Sequence, residues 1–190
     1  MMCPEWKFRS RLVSEGEGNI AAASEPKEPS LAEVLLMFAV VFGVHLLMVC
    51  RATNFWEVID SWGDNSDYLR ISTAIQHWHF SGAERTWHFW GFSYAIAGIS
   101  RLLSIPQPKV LVLVSLLAAL AVSVLVHRLY GGWVAAAFLF FINYQWILTS
   151  VEGGSESLFT CLLFAAFLAS RASRWKLAIV LASQIGRAHV

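Results

Sequence analysis

The chain has 190 residues, of which 57% are hydrophobic and only 14% charged, and its formal net charge is +1. A soluble domain carries about 45–50% apolar and about 25% charged residues, so both deviations point to an integral membrane protein. The near-neutral charge says nothing about partners, and there is no basic patch of the kind nucleic acid needs. The three scattered cysteines, Cys3, Cys50 and Cys161, form neither a disulfide framework nor a metal spacing; Cys50 and Cys161 sit in apolar runs and read as small core residues.

Residues 1–30 mix Lys7, Arg9 and Arg11 with Gly, Ser, Glu and Pro. Such a segment cannot bury a core, and it reads as a flexible cytoplasmic tail. It lacks the apolar stretch and small-residue cleavage site of a signal peptide. Residues 31–50 have the length of about 20 residues that a spanning helix needs. Ser30 and Glu33 form a capping-box signature at its start. His45 is its one polar interruption and reads as a histidine facing other helices.

The next segment, 51–109, holds Glu57, Asp60, Asp64, Asp67, Arg70, His77, His79, Glu84, Arg85 and His88. Its acidic focus is Trp62-Gly63-Asp64-Asn65-Ser66-Asp67-Tyr68-Leu69-Arg70. Asp64 is placed to cap a helix from Asn65 to about His77, with Leu69, Ile71, Ala74, Ile75 and Trp78 as its apolar face. That pattern suits a helix lying on a membrane surface. The triplets His77-Trp78-His79-Phe80 and Trp87-His88-Phe89 read as interfacial packing, since a His-x-His on a helix splays its rings. Trp87–Ile105 is a second apolar segment, interrupted by Arg101 and stopped by Pro106 and Pro108.

Further spans are expected at about 110–127, 133–149 and 156–170, with a partial one at 176–184. His127 to Gly132 reads as a tight turn, and Ser150 to Glu156 as a short polar loop whose Ser155 caps the following helix. The basic positions Arg128, Arg171, Arg174 and Lys176 share one side with the basic tail only if Trp87–Ile105 stays in the interface. The positive-inside rule favours that arrangement. The N-terminus is then cytoplasmic, and loops 51–109 and 150–155 both face outward, as in a multi-pass protein of a bacterial cell membrane. The last six residues, Ile185 to Val190, are what the start of a common sequencing adapter encodes. They are read as artefactual, and the chain as the N-terminal part of a longer protein.

This order of features resembles the N-terminal half of the C-fold (GT-C) glycosyltransferases, a family that includes lipid A aminoarabinose transferases and dolichyl-phosphate-mannose-type mannosyltransferases. The matching residues are Asp64-Asn65-Ser66-Asp67-Tyr68 with Leu69-Arg70-Ile71, then Leu129-Tyr130-Gly131, then Ser155-Glu156-Ser157-Leu158-Phe159. Many relatives carry Asp-Glu where this chain has Asp64-Asn65, which makes Asp67 a rival for the acidic role. Many also carry a Pro-Pro stretch where this chain reads Trp87 to Phe92.

The resemblance implies an all-α polytopic bundle with interfacial helices in the first outward loop. It also implies transfer of a sugar from a polyprenyl phosphate to a glycan, lipid or protein acceptor. Asp64 would be the general base, a role worth about 10²–10⁴-fold in rate, with burial near lipid raising its pKa. The bland reading of Asp64 is a helix cap. Glu156 is either a second site residue or a charge at a helix start. Tyr68, Arg70, Arg85 and Arg101 are the candidates for substrate binding, the arginines for the donor phosphate. No metal site is read; a divalent ion would suit the anionic leaving group. Two other classes stay open: an O-antigen polymerase or ligase-like enzyme, which relies on arginines in a later loop, and a transporter or scaffold, which would place polar groups and broken helices at the bilayer midplane.

Overall fold

The first helix shows how directly the sequence sets local structure. Ser30 Oγ accepts from the Glu33 backbone N–H at 3.3 Å, and the Glu33 carboxylate accepts from the Ser30 N–H and hydroxyl, both at 2.7 Å. This is a closed capping box, in which two otherwise orphaned donors are satisfied reciprocally. The computed structural model describes residues 28–51, 54–61, 63–79, 90–141 and 153–186. Their regular structure is entirely helical: α1 (Leu31–Arg51), α2 (Phe55–Ser61), α3 (Gly63–His77), α4 (Trp90–Leu103), α5 (Gln107–Tyr130), α6 (Gly132–Phe141), α7 (Glu156–Arg171) and α8 (Trp175–Gly186). The tail 1–27, Glu84, Arg85, His88, the expected span beyond 141, Ser150, Glu152 and residues 187–190 lie outside the described residues.

α5 is the central helix. Pro106 precedes it and Gly131, at φ 92°, ends it by donating its N–H to the His127 carbonyl at 2.8 Å. Along its N-terminal half, Val110, Leu111 and Val112 form one core with Phe55, Ile59, Tyr68, Leu69, Phe92 and Ile96. Its C-terminal half, through Val122 and Val126, forms a second core with Met37 of α1 and Ala135 of α6. Small polar residues sit fully buried where helices meet: Ser72 on α3, Ser93 on α4, Ser115 and Ser123 on α5, and Ser157 on α7. Ser and Ala at such seams let helix backbones approach closely.

Among the described residues two helices, α1 and α5, are long and apolar enough to cross a membrane. At about 1.5 Å per residue they reach roughly 32 and 36 Å, against a hydrocarbon thickness of about 30 Å. α1 keeps a continuous exposed apolar face through Leu31, Leu35, Leu36, Phe42, Leu46 and Leu47. α4 reaches only about 21 Å. α1 and α5 run antiparallel. The N-terminal end of α1 meets the C-terminal end of α5, where His127 Nε2 lies 3.1 Å from Glu33 Oε1 and Arg128 pairs with Glu28 at 2.7 Å. Arg171 Nη1, at the end of α7, reaches the Leu129 carbonyl at 3.5 Å. The opposite end of the bundle holds α2, α3, α4 and residues 153–155.

Several expectations need correction. The turn expected over 127–132 is reduced to Gly131, because α5 stays helical through Tyr130. Glu57 and Asp60 lie on a helix, α2, that buries Phe55 and Ile59 and leaves the two acids exposed. Trp78 is 79% exposed and not part of the α3 apolar face, because it sits past the helix end with φ 52°. His45 finds rings, not a polar partner: it meets Phe55 edge-on at 5.9 Å, and its Nδ1 has no hydrogen bond among the described residues. Cys50 is exposed and Cys161 half-buried, and both are free thiols.

Three helices stop in the same way. Past α3, α4 and α7 the chain turns left-handed at Trp78, Ser104 and Ser173, at φ 52°, 55° and 57°. The next N–H then bonds back to Ala74, Ser100 and Ala169, respectively, at 2.9, 3.2 and 2.9 Å. These are Schellman endings without their usual glycine. A left-handed non-glycine residue costs roughly 1 kcal/mol, so Ser173→Gly should raise unfolding stability by about 0.5–1 kcal/mol. Ser30→Ala, which opens the capping box, should lower it by about 1 kcal/mol. Thermal unfolding of both variants in one detergent should give shifts of opposite sign.

Candidate active site

The acidic stretch and the Ser155–Glu156 loop meet. Tyr68 and Ser155, 87 residues apart in sequence, are joined hydroxyl to hydroxyl at 2.8 Å. Each side of this bond is held by its own supports. On α3, Tyr68 is 4% exposed, and its ring lies edge-on to Phe92 at 5.0 Å. Its backbone carbonyl accepts the hydroxyl of Ser93 at 3.0 Å. On the other side, Ser115 of α5 donates to the Gly154 carbonyl. Gly153 takes φ 93°, and a Cβ there would collide with the Leu111 side chain. Only glycine suits that position on both grounds. The loop is thus seated on α5, with Ser155 aimed at α3.

Ser155 was expected to cap α7. It stands at that position but makes no side-chain capping bond, because its hydroxyl is committed to Tyr68. Asp64 was expected as the cap of a helix starting at Asn65. The helix instead includes Gly63, at φ 55°, and Asp64 lies within the first turn. A carboxylate there is favourable to the helix dipole. Asp64 is exposed, so the described residues do not supply the burial expected of it.

Three carboxylates act electrostatically on the Tyr68 phenol. Burial is the main cause that pushes its pKa above 10.0, and the negative charges of Asp64, Glu156 and Asp67 push the same way, while the bond from Ser155 opposes them. Tyr68 therefore stays a neutral phenol and serves as a hydrogen-bonding pivot. Asp67 pairs with Arg70 at 2.8 Å, one helical turn along α3. Its negative charge is partly balanced there, whereas Asp64 and Glu156 enter the cluster from the first turns of α3 and α7.

Arg101 is not in this cluster. It lies beside Gln76 and His77 at the far end of α3. From Asp64 to His77 the helix rises about 20 Å at about 1.5 Å per residue. Among the described residues no three His, Cys, Asp or Glu side chains are grouped so as to hold a metal ion. Sequence reasoning missed the supporting hydroxyls. Ser93 and Ser115 interrupt apolar helices, and a polar residue in such a run is the signal that could have found them. Compared with protein-family models, curated proteins and solved structures, the chain finds no match.

The Tyr68–Ser155 bond is open to a double-mutant cycle. Tyr68→Phe and Ser155→Ala should each cost about 1 kcal/mol, with a coupling of roughly 0.5–1.5 kcal/mol between them. The raised phenol pKa also has a pH signature. Its contribution to stability is complete below pH 10.0, the ordinary tyrosine value, and is lost as pH rises through the higher folded value. Alkaline unfolding of Tyr68→Phe should therefore show a shallower fall above that pH than the parent chain.

Proposed function

We propose that the chain belongs to a membrane glycosyltransferase that moves a sugar from a polyprenyl phosphate to an acceptor outside the cytoplasm. The observation that carries this reading is the Tyr68–Ser155 bond, which gathers Asp64, Asp67 and Glu156 from two distant segments at one end of the bundle. In the reaction, the acceptor oxygen or nitrogen attacks the anomeric carbon. The bond from that carbon to the donor phosphate breaks, and the phosphate leaves with the electron pair. The acceptor proton passes to a carboxylate, for which Asp64 is the candidate: it is exposed in the first turn of α3, and its charge acts on the Tyr68 phenol. A positioned base of this kind contributes about 10²–10⁴-fold. Arg70, one helical turn from Asp67 on α3, is the guanidinium that suits the leaving phosphate. Glu156 adds a carboxylate from the first turn of α7 that acts on the same phenol.

Charge placement supports the orientation. Arg128 and Arg171 gather with the start of α1 at one end, and the acidic cluster lies at the other. Basic residues near span ends favour the cytoplasmic side, which leaves the carboxylates on the outer face. α3 and α4 then lie in the outer interface, and α4 is too short to cross.

Two experiments test this. In the full gene product, Asp64→Asn should reduce sugar transfer from a radiolabelled polyprenyl-phosphate sugar about 10²-fold or more; unimpaired transfer contradicts the assignment. In a cysteine-free background, single cysteines at Asp60 and Arg174 should react with a membrane-impermeant maleimide from opposite sides. Labelling of both from one side refutes the topology.

A further inference from the structure

A second polar feature lies at the other end of α3. The C-terminal ends of α3 and α4 and the N-terminal start of α5 enclose an open cleft of about 520 Å³, bordered by Gln76, His77, Ser100, Arg101, Ser104 and Pro106. Its frame is braced. Gln76 Nε2 donates to the Ala97 carbonyl at 3.1 Å, Thr73 Oγ1 to Gln107 Oε1 at 2.9 Å, and Ser100 Oγ to the Ile105 carbonyl at 2.7 Å. Among the described residues no carboxylate borders the cleft. Among the described residues neither Arg101 nor His77 has an ion pair. The start of α5 opens at the same place, and a helix N-terminus carries partial positive charge.

Exposed apolar side chains follow the lining residues in sequence: Trp78 after His77, and Leu102 and Leu103 after Arg101, at 79%, 81% and 53% exposure. A cation at the last turn of α3 or α4 is explained by the helix dipole alone. Exposed Trp and Leu side chains around it are not, since a water-facing anion site has no use for them. The depth also fits a lipid headgroup. α5 begins with Gln107-Pro108-Lys109 and carries no charged residue from Val110 to Val126, so the cleft stands at the polar–apolar boundary of a spanning segment.

We infer that this cleft binds the phosphate headgroup of an anionic phospholipid, with Arg101 as the bidentate partner, His77 beside it, and Trp78, Leu102 and Leu103 against the upper acyl chains. This rests on the membrane reading of the chain and is independent of the glycosyltransferase reading. The site lies about 20 Å from Asp64 along α3, so the lipid is a bound companion of the fold and not the reacting donor.

The test uses the full chain in a neutral detergent, with fluorescent phosphatidylglycerol and phosphatidylcholine as probes. Phosphatidylglycerol should bind roughly tenfold more tightly, which is about 1.4 kcal/mol, and Arg101→Gln with His77→Ala should abolish that preference. Arg101→Lys, which keeps the charge, should retain part of it, and unchanged thermal midpoints should accompany all variants. An unaltered preference in the double variant overturns the inference, as does displacement of the lipid by excess inorganic phosphate, which would mark a site for free anions. Membrane retention of the chain after an alkaline carbonate wash is scored separately. Loss of lipid preference in a membrane-retained double variant supports the cleft, and release of the parent chain by the wash overturns the membrane reading itself.

Discussion

The contact between Tyr68 and Ser155 is the constraint on which the candidate site depends. It is a neutral hydroxyl pair, worth about 1 kcal/mol on its own. Its importance lies in what holds it. Ser93 anchors the Tyr68 backbone, Phe92 packs its ring, Ser115 holds Gly154, and Gly153 allows the loop to lie on Leu111. Four separate elements converge on one hydrogen bond. A carboxylate cluster drawn from both sides of a loop closure needs such a brace, because like charges gathered by exposed side chains alone would drift apart.

The bundle divides into two chemically different ends. At one, Arg128 pairs with Glu28 and the buried His127 meets Glu33 at the start of α1, while Arg171 reaches the Leu129 carbonyl. At the other, Asp64, Asp67 and Glu156 act together on the Tyr68 phenol, and Asp67 pairs with Arg70. Between them α5 is mostly buried while α1 turns an apolar face outward. That distribution is what a bilayer asks of a protein: charge at both surfaces, small polar residues at helix seams, and apolar side chains where no water reaches.

Much of the fold was legible in the sequence where one local rule sufficed. The Ser30–Glu33 box, the long apolar runs of α1 and α5, and the amphipathic α3 follow from capping chemistry and helical period. Where local signals were absent or ambiguous, tertiary structure decided. α2 is seven residues long and its helical period is too brief to read. The left-handed stops at Trp78, Ser104 and Ser173 carry no glycine to announce them. Ser155 has the right identity for a cap, yet a buried phenol from another segment claimed its hydroxyl. For the candidate site, the acidic stretch and the loop were legible separately, but their meeting was not, since it depends on how α3 and α7 pack on α5. Arg101 looked like a neighbour of Asp64 because both lie in one polar segment; the length of α3 separates them.

The most direct test of this account is proximity in the membrane. In a cysteine-free full-length background, cysteines at Tyr68 and Ser155 should be joined by a short bis-maleimide, as should a control pair at Glu33 and His127, which reports the intact α1–α5 end. Efficient cross-linking of both pairs is the predicted result. Cross-linking of the control pair alone would mean that the two segments do not meet, and the carboxylate cluster would lose its basis.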